Sequence, residues 1–308
     1  MDGTGPRPAE QALGPSIAFV VPYVGTWPAW FPAHLQSCKY NPTIRWIFFT
    51  DCEIPDPVPA NVEFVHGSLR EFERLVEQKT GLNVSLETPY KFCDYKPAYG
   101  LIFEDYLAGF DFWGHCDVDV VWGNIRKFLA TDEILAGHDV VSPRKEIITG
   151  TCNLYRNTDE INRLILADPK FKFVVRDPEN IRYDERRWTR FVAKQAASGA
   201  LRVHWPMFMQ PHVLIDSVEW YWDRGAVFDC TDKWYWNRAD DELFDYPDEV
   251  PGEVLYMDFR QWKKTSAVPC DFGYADDPPS FRITHTGISA ARPAVQSSGG
   301  KDGADPAQ

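Results

Sequence analysis

Long apolar runs are missing from this sequence. No stretch approaches the ~18–20 consecutive apolar residues that cross a bilayer, and the longest early run, Ile17 to Val24, is interrupted by Pro22. The residues before it are polar and hold three prolines, which predicts neither a signal peptide nor an anchor. Positive charge is scarce as well: 32 Lys and Arg stand against 45 Asp and Glu, a formal charge of -13. That balance excludes a general nucleic-acid binder, which needs clustered cations to displace counterions from phosphates. It also gives no attraction to an anionic membrane. Paired cysteine motifs are absent too. The seven cysteines (38, 52, 93, 116, 152, 230 and 270) are scattered with no C-x-x-C pair. This predicts reduced thiols in a cytoplasmic protein rather than a disulfide framework or a zinc site.

What remains is a chain of 308 residues that is 44% hydrophobic, enough for a sizeable core. Residues 1–15 are rich in Gly, Pro and Ala, and 290–308 are low in apolar content. Both read as disordered tails. With no linker or repeat between them, residues 16–289 form one domain.

Apolar, β-branched runs predict strands at Ile17–Tyr23, Thr43–Thr50, Asn61–His66 and Phe110–Cys116. Between the first two, Trp30, His34 and Leu35 mark a helix. Ser68-Leu69-Arg70-Glu71 has the form of a capping box, and its helix should stop at Gly81. A further helix is expected from Pro97 through Tyr106. Strand and helix alternating in this way imply an α/β fold: a mainly parallel sheet with helices on both faces and ligands at the carboxyl ends of the strands. The second half is less regular. Strands are expected at Asp139–Ser142 and Thr149–Arg156, helices at Thr158–Leu166 and Asp184–Ala197, then short aromatic strands.

Two features place chemistry at strand ends. Asp51 follows the second strand, and Asp117-Val118-Asp119 follows the fourth. Carboxylates at i and i+2 point to opposite faces of a regular strand, so they converge on one ligand only if the strand ends or bends there. A hard divalent cation, Mn2+ or Mg2+, takes such oxygen ligands and shares them with substrate phosphates. The bland alternative is a solvated turn. Lys91, Asp94 and Lys96 precede this segment and the Arg126/Lys127 pair follows it; the cations either neutralise phosphate or, like Lys96 and Arg126, are plain surface residues.

Cys93-Asp-Tyr-Lys-Pro-Ala-Tyr-Gly100 and Tyr106-Leu-Ala-Gly-Phe-Asp-Phe-Trp-Gly-His-Cys-Asp-Val-Asp-Val-Val-Trp-Gly-Asn-Ile125 resemble a largely uncharacterised bacterial family. Its members have the GT-A glycosyltransferase fold and are often linked to capsular or other surface polysaccharide genes. The resemblance spans about residues 16–287. It implies a nucleotide-sugar donor, a divalent metal at the Asp-x-Asp, and sugar transfer to the hydroxyl of a glycan or glycoconjugate acceptor. By the same resemblance, Asp117 and Asp119 hold the metal, with His285 of Ile283-Thr-His-Thr-Gly287 completing its shell. Pro22, Tyr23 and Gly25 cradle the base and ribose, Asp51 contacts the nucleoside, and Asp94, Lys96 and Asp117 face the donor. Where relatives read Tyr-x-His-Phe-Gln-Lys-Arg, this chain reads Tyr256-Met-Asp258-Phe-Arg-Gln-Trp262, with Asp258 in place of the His.

Tyr183-Asp184-Glu185 opens a helix. The acids serve as an N-cap or, as in GT-A enzymes, lie over the acceptor, where an inverting enzyme uses one as general base. Thr149-Gly150-Thr151 is a run of small residues that lets a sugar approach the backbone, or a bulge. His204, His212, Trp205, Trp220, Tyr221, Trp222, Trp234, Tyr235 and Trp236 offer sugar platforms or core packing. Residues 229–258 carry ten acids and two bases, which favours a neutral or cationic acceptor. Two rival functions remain: a GT-A-like carbohydrate-binding protein without turnover, favoured by Asp258, and a haloacid-dehalogenase-type phosphatase with Asp117 as nucleophile.

Overall fold

A computed structural model describes residues 14–206, 219–229, 253–258, 268–284 and 286–290. Strands β1 (Ile17–Pro22), β2 (Ile44–Thr50), β3 (Val62–His66) and β4 (Phe112–Cys116) form where the apolar runs place them. Strands β5 (Val120–Trp122), β6 (Val140–Val141), β7 (Cys152–Arg156) and β8 (Val203–His204) follow. The main sheet is mixed and mostly parallel, in the order β3-β2-β1-β4-β7-β6-β8. Strands β1 to β4 are parallel, and β7 runs antiparallel between β4 and β6.

Both faces of this sheet are covered, which is why its central strands read as unbroken apolar runs. Ala18 and Val20 point into one core with Ile47, Phe49 and Trp113. Ile17, Phe19 and Val21 point into the other with Trp46, Phe48 and Trp122. Helix α1 (Phe31–Lys39) covers the second face. Helix α2 (Leu69–Thr80) covers the first and carries the full capping box, with the Glu71 amide on Ser68 Oγ at 3.3 Å and the Ser68 amide on Glu71 Oε2 at 2.7 Å. Gly81 ends it at φ 69°.

The helix expected from Pro97 to Tyr106 is instead a broken run. Two 3-10 turns, Pro89–Lys91 and Lys96–Ala98, alternate with short helices α3 (Phe92–Tyr95) and α4 (Tyr99–Ile102). Pro97 supplies no amide to the ladder, so the run cannot continue as one α-helix. Gly100 then lies against Trp113, where a Cβ would come within 2.4 Å of the ring. Helices α5 (Ile125–Phe128), α6 (Asp132–Gly137), α7 (Asp159–Asn162) and α8 (Phe171–Val174) are short. The helix expected over Asp184–Ala197 splits into a π-turn, Tyr183–Arg187, and helix α9 (Trp188–Ala197).

Strands β9 (Glu219–Asp223), β10 (Ala226–Asp229), β11 (Glu253–Val254), β12 (Tyr256–Asp258), β13 (Ser280–Thr284) and β14 (Gly287–Ala290) complete the described strands. Five of them make an antiparallel sheet in the order β11-β10-β9-β13-β14, while β12 pairs with β5. Trp222, Val227, Phe281 and Ile283 of this sheet pack on Trp30, Ala33 and Val121. Trp46, Trp113, Trp122, Trp188 and Trp222 are fully buried, so much of the tryptophan content is core. Among the described residues no helix is long and apolar enough to cross a membrane.

Candidate active site

Strand order reverses at β1: the chain moves outward to β2 and β3, then returns to place β4 on the other side. Loops leaving the carboxyl ends of β1 and β4 therefore diverge, and a crevice opens between them. A cleft of about 720 Å³ lies there, lined by Pro22, Tyr23, Lys96, Asp117, Asp119 and Asp184 among others. Residues 117–119 form a bend between β4 and β5, so both carboxylates reach one cleft despite their i, i+2 spacing. The bend is held from behind. Trp30 Nε1 donates to Val118 O at 3.0 Å, and the Asp117 amide donates to Thr151 O at 3.0 Å. His34 Nδ1 lies 2.8 Å from Val120 O. Burial pulls the His34 pKa down to about 4, so it is neutral and donates that bond.

Lys96 is the hub. The break in the helical run turns its side chain inward, where only 6% of it is exposed. Its Nζ donates to Asp117 Oδ1 at 2.5 Å and Gly150 O at 2.6 Å, and stands 3.8 Å from Asp184 Oδ2. Burial alone would depress this ammonium, but Asp117 and then Asp184 hold it well above its ordinary value. Asp184 is the opposite case. Burial raises its carboxyl to about 7; Lys96 pulls the other way, and Asp117 and Glu185 add repulsion. The two halves of this contact are unequal because Asp117 takes the close ion pair and leaves Asp184 at longer range.

This arrangement has a stability signature. A carboxyl whose folded pKa lies above its unfolded value of about 3.9 keeps a proton that the unfolded chain has released. Folding stability therefore falls as pH rises from about 4 to 7. Asp184→Asn is expected to flatten that slope in denaturant titrations, and an unchanged slope would contradict the assignment.

Gly150 faces the acid pair from β7's entry loop. A Cβ there would stand 3.0 Å from Asp184 Oδ2 and 3.2 Å from Glu185 Oε1. The strand expected from Thr149 thus begins only at Cys152, because residues 149–151 leave the sheet to pass over Lys96. Gly150→Ala should displace the acids by a few tenths of an ångström. The pH dependence of folding stability set by Asp184 should shift with little change in melting temperature, and an unchanged pH dependence would contradict it.

The remaining sequence candidates are dispersed. Gly25, at φ 111°, donates its amide to Asp51 Oδ1 at 2.7 Å, so Asp51 fastens the loop after β1 and neither residue lines the cleft. Asp94 is fully buried, receiving Lys91 Nζ at 2.9 Å and the amides of Ile181 and Tyr183 at 2.9 and 2.8 Å. It anchors the segment leading into the π-turn rather than facing the cleft. Arg126 donates to Pro15 O and Thr43, away from the site. Asp258 is buried opposite Val120, one residue beyond Asp119. Trp222 is core, His204 meets His138 edge-on, and His212, Trp234, Tyr235, Trp236 and His285 lie outside the described residues.

Sequence reasoning missed Trp30 and the cleft rim formed by Tyr90, Asn180 and Arg182. Asn180-Ile-Arg182 directly before the acid pair was the available signal. Among the described residues no three His, Cys, Asp or Glu side chains stand together as a metal site. Asp117 and Asp119 do supply two hard oxygen donors to one cleft, a set that suits Mg2+ or Mn2+ when phosphate and water fill the rest of the shell.

No curated protein matches the chain in sequence. Among solved structures, mouse xyloside xylosyltransferase 1 in its apo form is similar over 62% of this chain and 78% of its own, at 10% identity and a TM-score of 0.29. A likeness that distant says nothing of this chain's chemistry. A family model matches residues 19–212, a span that contains Asp117, Asp119, Lys96, Asp184 and Glu185, and by that match the chain belongs to the family of unknown function DUF6625.

Proposed function

We propose that this protein is a GT-A-type glycosyltransferase that moves a sugar from a nucleotide-diphosphate sugar to an acceptor hydroxyl. The observation that carries the reading is the bend Asp117-Val118-Asp119 at the switch point of the sheet, opening both carboxylates onto a cleft that also holds Lys96 and Asp184. The resemblance of residues 93–125 to GT-A enzymes supports it.

Asp117 and Asp119 would hold the divalent cation, with His285 the further ligand implied by the resemblance. Bound there, such a cation offsets the charge that collects on the departing diphosphate. Everything else falls to the protein's own side chains. Pro22 and Tyr23 line the donor side, at the exit of β1. Lys96, ion-paired with Asp117, fixes its direction. Trp30 and His34 hold the bend so that no reorganisation is needed when donor arrives. On the acceptor side, the hydroxyl oxygen bonds to the anomeric carbon as the bond to diphosphate breaks, with its electron pair leaving on the diphosphate. Asp184, raised to about 7, is matched to receive the hydroxyl proton at neutral pH. Activity should therefore rise through about pH 7.

The direct test is a panel of nucleotide sugars incubated with the protein and Mn2+, scored by release of nucleoside diphosphate. Turnover of one donor is expected. A protein inert to every donor that instead hydrolyses p-nitrophenyl phosphate through a trapped Asp117 phosphate would replace this reading with a phosphatase.

A further inference from the structure

Four carboxylates line the cleft, Asp117, Asp119, Asp184 and Glu185, against two cations, Lys96 and Arg182. Lys96 is enclosed by Asp117, Gly150 O and Asp184 and is spent on holding the site together. Arg182 is different. It is exposed at the cleft mouth, and among the described residues no carboxylate lies within ion-pair distance of its guanidinium. Its backbone is left-handed, at φ 54° and ψ 46°, a conformation that a side chain with a Cβ rarely adopts.

If only a turn were needed, glycine would take that conformation without strain. Here the arginine is forced into it by its neighbours. Asp94 grips the amides on either side, Ile181 at 2.9 Å and Tyr183 at 2.8 Å, while Asn180 Oδ1 takes the Arg182 amide at 3.1 Å. Lys91, fully buried, pairs with Asp94 and donates to Glu179 O at 2.8 Å. Asn180 Nδ2 donates to Tyr90 O at 3.1 Å and ties this segment to its neighbour on the rim, Tyr90, which is 63% exposed. A buried ion pair and five hydrogen bonds to backbone groups thus hold a strained arginine at the mouth of an acidic cleft.

We infer that Arg182 recognises an oxyanion, phosphate or carboxylate, carried by the molecule bound in the cleft. Tyr90 forms the apolar edge beside it, and Lys91 and Asp94 are positioning residues. The planar guanidinium matches such a group bidentately. The anion has two possible sources, the donor diphosphate or an acidic sugar in the acceptor. The second rests on the glycosyltransferase reading; recognition of the anion itself does not.

The test is calorimetric titration of wild-type, Arg182→Gln and Arg186→Gln proteins with four probes: UDP with Mn2+, inorganic pyrophosphate, glucuronic acid and glucose. Arg186 is an exposed control in the π-turn that follows Arg182, and it does not line the cleft. Arg182→Gln should weaken at least one anionic probe roughly 10- to 100-fold, leave glucose unchanged, and differ from Arg186→Gln. Loss confined to UDP and pyrophosphate assigns the diphosphate; loss confined to glucuronic acid assigns an acidic acceptor. Pyrophosphate or glucuronic acid binding through Arg182 without UDP binding would uphold this inference while removing the nucleotide-sugar reading. Anions held equally by Arg182→Gln, or not held by the wild-type protein at all, would overturn it.

Discussion

Replacing Lys96 with methionine is expected to cost about 3–5 kcal/mol of folding stability at neutral pH. Methionine keeps most of the volume, so the loss is electrostatic. Asp117 and Asp184 would face each other without the ammonium that stands 2.5 Å from one and 3.8 Å from the other. Gly150 O would lose its donor at the same time. The variant should recover stability on acidification. Without Lys96, the Asp184 carboxyl moves higher still from its present value of about 7 and takes a proton more readily. The folded state then holds a proton that the unfolded state gives up above about pH 4, so stability rises as pH falls through that window. Urea titrations at pH 5 and pH 8 measure this. Equal deficits at both would mean that Lys96 acts by packing and not by charge.

The second large effect concerns the acids that open onto the cleft. Asp119→Ala should weaken Mn2+-dependent UDP binding by at least about 100-fold while the protein stays folded. The bend on either side of Asp119 is held at Val118 O by Trp30 and at Val120 O by His34. Asp117→Ala should match that loss and add a second signature. Lys96 would turn from Asp117 to Asp184, an unopposed attraction that lowers the Asp184 pKa. The pH limb of activity should then move below 7. A variant that keeps UDP affinity, or moves the limb upward, would contradict the charge arrangement.

Much of this was legible in the sequence, for local reasons. The β1 and β2 runs are largely apolar on both faces because the sheet is covered on both faces there, and helix α2 announces both its ends. Asp117 and Asp119 were legible as strand-end acids. Their convergence was not, because it depends on a bend held by Trp30, almost ninety residues earlier in the chain. Lys96 and Asp94 look alike in the sequence, two charges beside one proline, yet one opens on the cleft and the other is sealed behind it. Only the break in the helical run separates them. The second sheet is built from pairings between distant segments, such as β9 with β13 and β5 with β12, and local patterning carries no trace of those partners. The aromatic run from Trp205 onward pointed either to sugar platforms or to core packing, and Trp222 is sealed in the core.

Calorimetric titration of the wild-type protein with UDP, GDP and CDP, each in Mn2+ and again in EDTA, reaches the central claim most directly. The account predicts that at least one nucleoside diphosphate binds in Mn2+ and that chelation abolishes the heat. No binding by any of the three in Mn2+, or binding that EDTA leaves unchanged, would contradict it.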